Sequence, residues 1–429
     1  MVGVVGVLVV SLGSRPLTFG VLVAVVGPLV GSPRVAGVEV TELAVFAGVL
    51  AVALAGVLAT PAIGGPRLRL AIRLASVLGV GVVAPVLVAV LIHGPFQRPD
   101  PRFSTGLVET VLFTGLLLGV VVASGPGLPF SQTLMVRVAL LTGGLTLVAW
   151  VLEGRPAQFA GLANHKNGAG VSLLCMAILL RLVRDAGGLA VQPKAKNESR
   201  ERYWFAVSLV VLACFVTGSR AALACCLVVS IPWTVSRRMA RLLALPVLPV
   251  VAPTLYLWIY SQEALANSMD RLFESITGLK FFSGRQRIWI EGLESIGSKL
   301  TLGHGYHYQE FYSQKTLNLH SLLMAKTFQV GLIGGLLFLA VLIWVSLTVL
   351  RGVRPPVTNA AALGLAAIWI HQTFEVNLGL GGPPAGAAFA VVLGLLLRLT
   401  VLERAGSGSP ARVRKSLGPF GRGSHAVRG

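Results

Sequence analysis

Long apolar segments recur along the chain, and short polar connectors separate them. Many reach about 17–25 residues, the length that an α-helix needs to cross the hydrocarbon core of a bilayer. Their apolar residues are continuous rather than alternating, which predicts membrane-spanning helices and not the strands of a barrel. The predicted spans cover residues 41–60, 74–92, 103–123, 133–151, 168–182, 203–216, 221–235, 242–260, 322–350, 360–374 and 384–402.

The N-terminal end adds one or two further spans. Residues 1–12 and 16–30 are both apolar, and Arg15 lies between them, so they fit either two short spans or one long bent span. No basic segment or convincing cleavage site accompanies them, so we expect membrane helix rather than a signal peptide. The predicted fold class is therefore all-α, a polytopic integral membrane protein with about 12 transmembrane helices, twelve or thirteen in total.

Composition agrees with a membrane protein. Of the 429 residues, 55% are hydrophobic and 12% are charged, and the mean hydropathy is +0.80. Soluble domains carry about 25% charged residues, so the chain lies outside that class. Its formal net charge is +20, with the basic residues scattered between spans and in the C-terminal tail. This distribution is typical of cytoplasmic loops that follow the positive-inside rule, and it excludes nucleic acid as an expected partner.

The basic clusters also orient the chain. Residues 181–202 and 237–241 are rich in Arg and Lys, which predicts a cytoplasmic location for both. Counting spans from them places the connector 153–167, the turn 217–220 and the loop 261–320 on the opposite, non-cytoplasmic face. Four regions follow from this: an N-terminal helix bundle (1–260), a large external loop with short helices (261–320), C-terminal transmembrane helices (321–402) and a disordered basic cytoplasmic tail (403–429).

The large loop is the most polar part of the chain between spans, and a helix is expected in its second half. Ser283 and Gln286 have the spacing of a capping box, which predicts a helix from Gly284. Arg285 then falls in the first turn, where free backbone N–H groups favour anions and a guanidinium suits phosphate. The alternative is an Arg that extends to the membrane surface or pairs with Glu263, Asp270 or Glu274.

Two more polar residues stand at membrane boundaries. Arg220 ends a short turn between two spans, on the face where basic residues are depleted. We expect it to face the bundle interior or a water-filled cavity, the alternative being a contact with lipid headgroups. His320 lies where the large loop re-enters the membrane. A neutral imidazole there could accept a proton from a hydroxyl, although a lone His is often structural.

The remaining candidate residues lie in the same external segments. Gly303 and Gly305 permit a tight backbone and close approach of a ligand. Trp289, predicted to share a helix face with Leu293 and Ile296, and Tyr306 belong to a set of loop aromatics. These rings fit either an interfacial belt or stacking surfaces for sugar rings.

A polar cluster precedes the predicted span 168–182. It contains His165, Lys166 and Asn167, and Lys166 could contact phosphate or form part of a solvated helix cap. A metal site is not expected, because His304 and His307 have no well-spaced carboxylate or Cys. The four cysteines lie in apolar runs without the spacing of metal ligands.

Together these motifs resemble the O-antigen ligase and polymerase superfamily of bacterial envelope enzymes. The ordered pieces are Ser219-Arg220, Gly284-Arg285 with Trp289, the Gly303-x-Gly305 element and His320 ahead of Gly331-Leu332-Ile333-Gly334. Asn164-His165-Lys166-Asn167 is similar to the variant found in exopolysaccharide polymerisation proteins. Two positions depart from the family pattern: no Pro precedes Gly303, and Ser321 follows His320 where Asn is common.

The resemblance implies a periplasmic-face glycan transferase in the bacterial inner membrane. Its donor would be an undecaprenyl-diphosphate-linked glycan, and its acceptor a glycan or lipid A–core. Arg220 and Arg285 would hold the diphosphate, and His320 would be the general base of an inverting, metal-independent transfer without a cofactor. Other residues expected to bind substrate are His165, Lys166, Asn167, Trp289, Gly303, Gly305 and Tyr306. Membrane lipids and envelope-polysaccharide assembly proteins are the other expected partners.

Three alternatives stay open at this point. Within the family, the His-Lys-Asn element favours a polymerase of exopolysaccharide or O-antigen over a ligase that modifies lipid A–core. A membrane transporter would need ionisable residues inside several spans, and only Glu42 and Glu109 are identified in or near apolar runs. A structural subunit of an envelope-synthesis complex would tolerate replacement of Arg220, Arg285 and His320.

Overall fold

The computed structural model describes the chain as a set of helices joined by short turns. The described residues are 16–26, 66–93, 104–122, 131–156, 166–187, 196–231, 244–277, 281–282, 285–305, 319, 321–353, 357–374 and 383–406, with positions 29, 34–35, 38–39, 128, 236, 239 and 242. The predicted span 41–60 and the stretch 1–12 lie outside them, as does the predicted disordered tail 403–429 after residue 406. Residues 403–406 are helical, which corrects the start of that tail.

The helices begin close to the predicted spans. In chain order they are α1 Pro16–Val26, α2 Pro66–Leu78, α3 Ala84–His93, α4 Ser104–Val122, α5 Gln132–Leu152, α6 Lys166–Gly187, α7 Lys196–Val216, α8 Arg220–Ser230, α9 Leu248–Ser261, α10 Glu263–Thr277, α11 Arg285–Ser298, α12 Leu322–Gly352, α13 Val357–Phe374 and α14 Pro383–Gly406. A π-helical turn, Gly79–Val83, joins α2 to α3.

The helical class is confirmed for the described part of the chain. Its extended backbone is one short antiparallel ladder, β1 Arg34–Val35 with β2 Val38–Glu39, in which Arg34 lies opposite Glu39. By length and composition, three described helices could cross a membrane: Leu68–Ile92, Gln132–Leu152 and Leu322–Gly352. The total of twelve or thirteen spans, the periplasmic loop and the four-region division stay predictions.

Three central helices form the core of the bundle. The segments 169–183 of α6, 360–369 of α13 and 386–400 of α14 are buried throughout. Small residues bring these helices close: Gly364 of α13 faces Ile178 of α6, and Gly394 of α14 faces Val120 of α4. Close contact through small residues is the packing mode expected where lipid weakens the hydrophobic drive between helices.

The outer helices present large apolar side chains to their surroundings. Leu91 is 81% exposed, Leu152 is 80% exposed, and Phe205 and Phe215 are each 63% exposed. Soluble monomers rarely leave apolar patches of this extent uncovered. An apolar exterior around a bundle of apolar helices indicates a membrane protein.

The long helix α12 is broken at Gly331, which has φ 73° and ψ 178°. We call residues 322–330 α12a and residues 332–352 α12b. A strap formed by residues 300–305 fills the break: the N–H groups of His304 and Gly305 donate to the carbonyls of Phe328 and Gln329 at 2.7 and 2.9 Å. In return the Leu332 N–H donates to the Leu300 carbonyl at 2.7 Å. The sequence predicted one continuous span here.

Replacing Gly331 by Ala should destabilise the protein. Its φ and ψ lie in a region that is essentially restricted to glycine, and a Cβ would collide with the Thr301 carbonyl. We expect a loss of about 2–4 kcal/mol in the free energy of unfolding, measured on purified protein in detergent. Gly297→Ala is the matched control, because no atom lies within 4 Å of a Cβ at that position of α11. Equal stability of the two variants would contradict the proposed strain.

Candidate functional site

Helices α6 and α8 run parallel with their starts side by side. Near the start of α6, a Cβ on Gly170 would lie 2.8 Å from both the Cβ and the Oγ of Ser219, which precedes α8. Further along, the Arg181 Nη1 donates to the Ile231 carbonyl at 2.9 Å. Since the two contacts are separated by similar lengths of helix, the direction of both helices is the same.

This pairing brings two predicted site segments together. Lys166 opens α6 and Arg220 opens α8, directly after a tight turn in which Gly218 has φ +67°. The Thr217 Oγ1 secures the turn by donating to the Cys214 carbonyl at 2.7 Å. The Arg220 side chain is exposed. We call the end of the bundle at which α8 begins the Arg220 end.

A second parallel pair is formed by α11 and α12a. The Trp289 Nε1 donates to the Leu319 carbonyl at 2.6 Å, and Gly292 lets the Leu319 side chain pack directly on α11. Arg285 opens α11 one turn before Trp289, and Leu319 lies immediately before His320. The start of the Arg285 helix therefore lies beside the backbone that leads into His320.

The C-terminal parts of α11 and α12a both contact His304. Its Nε2 lies 2.7 Å from the Ser295 carbonyl of α11, and its ring stacks on Phe328 of α12a with centroids 4.5 Å apart and planes at 15°. Trp289 comes before Ser295 in the chain, and its partner Leu319 likewise comes before Phe328. The two sets of contacts therefore follow the same order along both segments. Contacts at both ends thus hold the two helices parallel.

Helix α13 connects the two pairs. Its last residue, Phe374, stacks on Trp289 with centroids 6.2 Å apart. One turn earlier, the His371 backbone lies close to the sulfur of Cys225, which is itself in the second turn of α8. Helix α13 therefore runs antiparallel to α8 and ends at the Arg220 end. The starts of α6, α8, α11 and α12a accordingly lie at one end of the bundle.

A cluster of aromatic side chains packs against the pair formed by α11 and α12a. Tyr256 of α9 has ring centroids 4.9 Å from Phe282, 5.1 Å from Trp289 and 5.7 Å from Phe281. Asp270 of α10 anchors the connection by accepting a 2.9 Å hydrogen bond from the Phe282 N–H. Trp289 is fully buried, so its ring contacts protein in this structure. Stacking of a sugar on Trp289 stays a prediction.

The three apolar residues of α11 that were predicted to share one face differ in burial. Trp289 and Ile296 are buried, but Leu293 is 48% exposed. Gly292 faces inward instead, because the Leu319 side chain occupies the space above it. On the outer face, the Glu291 carboxylate accepts a 2.8 Å bond from Arg287, and this contact raises the pKa of the exposed Arg287 guanidinium.

The two loop glycines make close approaches to backbone. Gly303 and Gly305 have φ values of +71° and +73°, and a Cβ on Gly303 would collide with the Gly331 N. Gly305 donates its N–H to Gln329. The positive φ explains why both positions favour glycine, and at Gly303 the tight packing adds to it. Contact with a ligand stays a prediction.

Several predicted site residues fall outside the described part of the chain. They are His165, Tyr306 and His320, together with the side chains of Lys166, Asn167 and Arg285. Within the described residues, no group of three or more His, Cys, Asp and Glu side chains could hold a metal ion. The described geometry thus concerns the helices that carry these residues.

Sequence reasoning missed polar residues buried in the helices. Lys326 of α12a is 2% exposed, with its Nζ 5.7 Å from the Phe338 ring centroid, and His371 and Gln372 are fully buried near the end of α13. Arg398 of α14 is 3% exposed. The expectation that only Glu42 and Glu109 lie in or near apolar runs is therefore wrong. The available signal was the ionisable residue type inside a predicted span.

Residues 205–339 match the family model described as O-Antigen ligase, Wzy_C. This stretch, which is less than half of the sequence, is similar to O-antigen ligases. The resemblance to the O-antigen ligase/polymerase superfamily is thereby confirmed, and no curated protein matches the chain. Members of the family are glycosyltransferase-like enzymes, which indicates a glycan-handling function. The matched region runs from α7 into α12b and includes Arg220, Arg285 and His320, whereas the connector ending at Asn167 precedes it.

Trp289→Phe should weaken the contact between α11 and the backbone before His320. The change keeps an aromatic ring but leaves the Leu319 carbonyl, on a residue 1% exposed, without its donor. We expect the free energy of unfolding to fall by about 1–3 kcal/mol. Trp258→Phe is the control, because Trp258 is 56% exposed on α9. Thermal unfolding in detergent compares the two, and equal midpoints would contradict this account of the bond.

Proposed function

We propose that the protein transfers an oligo- or polysaccharide from a polyprenyl diphosphate to an acceptor hydroxyl, on the periplasmic side of the inner membrane. The observation that carries this proposal is the meeting of four helix starts at the Arg220 end, three of them inside the region that matches the O-antigen ligase family. They bring together the segments that hold Lys166, Arg220, Arg285 and His320. A coarser glycan-handling function follows from the family match itself.

The chemistry of these helix starts suits a diphosphate. A helix start carries free N–H groups and roughly half a positive charge, which favours anions. Ser219 and Ser321 occupy the N-cap positions of α8 and α12, yet neither hydroxyl caps its own helix in the described structure. Arg220 adds a guanidinium at the start of α8, and Arg285 adds another at the start of α11.

In the proposed reaction, His320 removes the proton from the acceptor hydroxyl. The oxygen attacks the anomeric carbon of the donor sugar from the face opposite the diphosphate, and the bond between that carbon and the diphosphate oxygen breaks. The polyprenyl diphosphate leaves with its negative charge stabilised by Arg220, Arg285 and the helix N–H groups. One displacement of this kind inverts the anomeric configuration and needs neither a metal nor a cofactor.

The acceptor distinguishes two forms of this function. A polymerase extends a lipid-linked glycan, whereas a ligase transfers the finished glycan to lipid A–core. The His165-Lys166-Asn167 element favours a polymerase of exopolysaccharide or O-antigen. The position of Lys166 at the start of α6, beside the start of α8, supports a role for this element near the donor.

His320→Ala should abolish transfer while the protein still inserts and folds, because it removes the general base and leaves the helix contacts in place. A loss of about 10²–10⁴-fold is expected. The measurement is formation of glycan by the variant in a strain that lacks the native chain, normalised to its amount in the membrane. His307→Ala is the matched control from the same loop. Transfer at the native rate by the His320 variant would refute the assigned role.

Deletion of the chain should distinguish polymerase from ligase. Loss of a polymerase leaves single repeat units attached to the lipid carrier, because no step joins them. Loss of a ligase leaves full-length polysaccharide that never reaches lipopolysaccharide. Gel separation of lipid-linked glycan and lipopolysaccharide from the deletion strain measures both. Full-length glycan with unmodified lipid A–core would contradict the polymerase and support the ligase.

A further inference from the structure

We infer that His304 is a positioning residue that aligns the helix bearing Arg285 with the helix that follows His320. This inference rests on the proposed function, because it concerns the geometry of that transfer. His304 was considered as a metal ligand from the sequence, but its described contacts are with a carbonyl and an aromatic ring. Those contacts indicate that His304 orients the two helices instead of binding a metal ion.

The first step of the argument is the chemistry of the His304 ring. The Ser295 carbonyl can only accept a hydrogen bond, so the Nε2 at 2.7 Å must carry the proton and donate it. The ring face is fixed independently by stacking on Phe328. With the side chain 4% exposed in total, both contacts are shielded from water. One side chain therefore joins α11 to α12a by a directional bond and a packed ring.

The second step is the backbone of the same residue. The His304 N–H donates to the Phe328 carbonyl at 2.7 Å, so side chain and main chain hold the same turn of α12a. The flanking Gly305 N–H donates to Gln329. The break at Gly331 frees these carbonyls, and the strap is what satisfies them.

The third step is mechanical. Because Gly331 interrupts the helix, α12b cannot fix the direction of α12a through a continuous ladder of hydrogen bonds. Side chains of α12a also pack on α12b, with Thr327 against Gly335 and Lys326 near Phe338. The alignment of α12a with α11 depends on contacts at its two ends, Trp289 with Leu319 at the start and His304 with Phe328 at the far end. The segment is roughly 13 Å long, so a shift at the Phe328 end tilts the start that adjoins His320. A displacement of about 1 Å can reduce a rate by about 10²-fold.

The test uses the full-length protein in proteoliposomes, with lipid-linked donor extracted from the deletion strain. His304→Ala removes the bond and the stacking, and we expect kcat to fall about ten- to hundredfold with little change in KM for the donor. His304→Gln keeps an N–H donor near the Nε2 position and should recover most of kcat. His304→Phe keeps only the ring and should give an intermediate kcat.

A matched control separates positioning from general loosening. Trp369→Phe removes another buried hydrogen-bond donor, the Trp369 Nε1, which lies 2.9 Å from the Ala244 carbonyl before α9 and 3.2 Å from the Ser346 Oγ of α12b. Neither partner lies on α11 or α12a. We expect this variant to lose stability but keep kcat per folded molecule.

Three results would overturn the positioning role. They are native kcat in His304→Ala, no recovery in His304→Gln, and an equal loss of kcat in Trp369→Phe. If the native protein itself transfers no glycan from this donor, the proposed function fails instead, so the two failures are distinguishable.

Discussion

The requirement that every buried backbone polar group find a partner governs this fold. A helix that breaks inside an apolar bundle frees carbonyl and N–H groups that lipid cannot satisfy. At Gly331 the strap 300–305 supplies the missing partners through three hydrogen bonds of 2.7–2.9 Å. The strap can approach so closely only because Gly303 and Gly331 both lack a Cβ. The break and the loop thus depend on each other, and neither is stable alone.

Helix packing explains how distant parts of the chain reach one end of the bundle. The central helices α6 and α13 touch through small residues, and α6 and α8 remain parallel from Gly170–Ser219 to Arg181–Ile231. The last residue of α13 then reaches the ring of Trp289. Four helix starts therefore add their partial positive charges in one region, and such fixed dipoles need no reorganisation when a negative charge develops there.

Much of the helical layout could be predicted from the sequence, because a long continuous apolar segment directly predicts a membrane-spanning helix. The predicted spans 103–123 and 133–151 differ from the described helices Ser104–Val122 and Gln132–Leu152 by one residue at each end. The Gly331 break could not be predicted, since Gly331 lies in a continuous apolar run and its partners are about thirty residues earlier. Helical periodicity likewise placed Leu293 inward, whereas a contact with Leu319 selected Gly292.

In the candidate site, too, some features could be predicted from the local sequence, whereas others depend on residues that are distant in the chain. Residue type and order selected Arg220 and Arg285 as candidates, because the start of a helix that could bind an anion has a local signature, and their roles stay predictions. The buried positions of His304 and Lys326 depend on partners across the break, so spacing alone argued against a metal at His304 without finding its partners, and it passed over Lys326. In the proposed transferase the reactive groups lie at the starts of separate helices, and each helix start contributes a fixed dipole. The contacts that join those helices, rather than the reactive residues alone, then determine how well the groups are aligned.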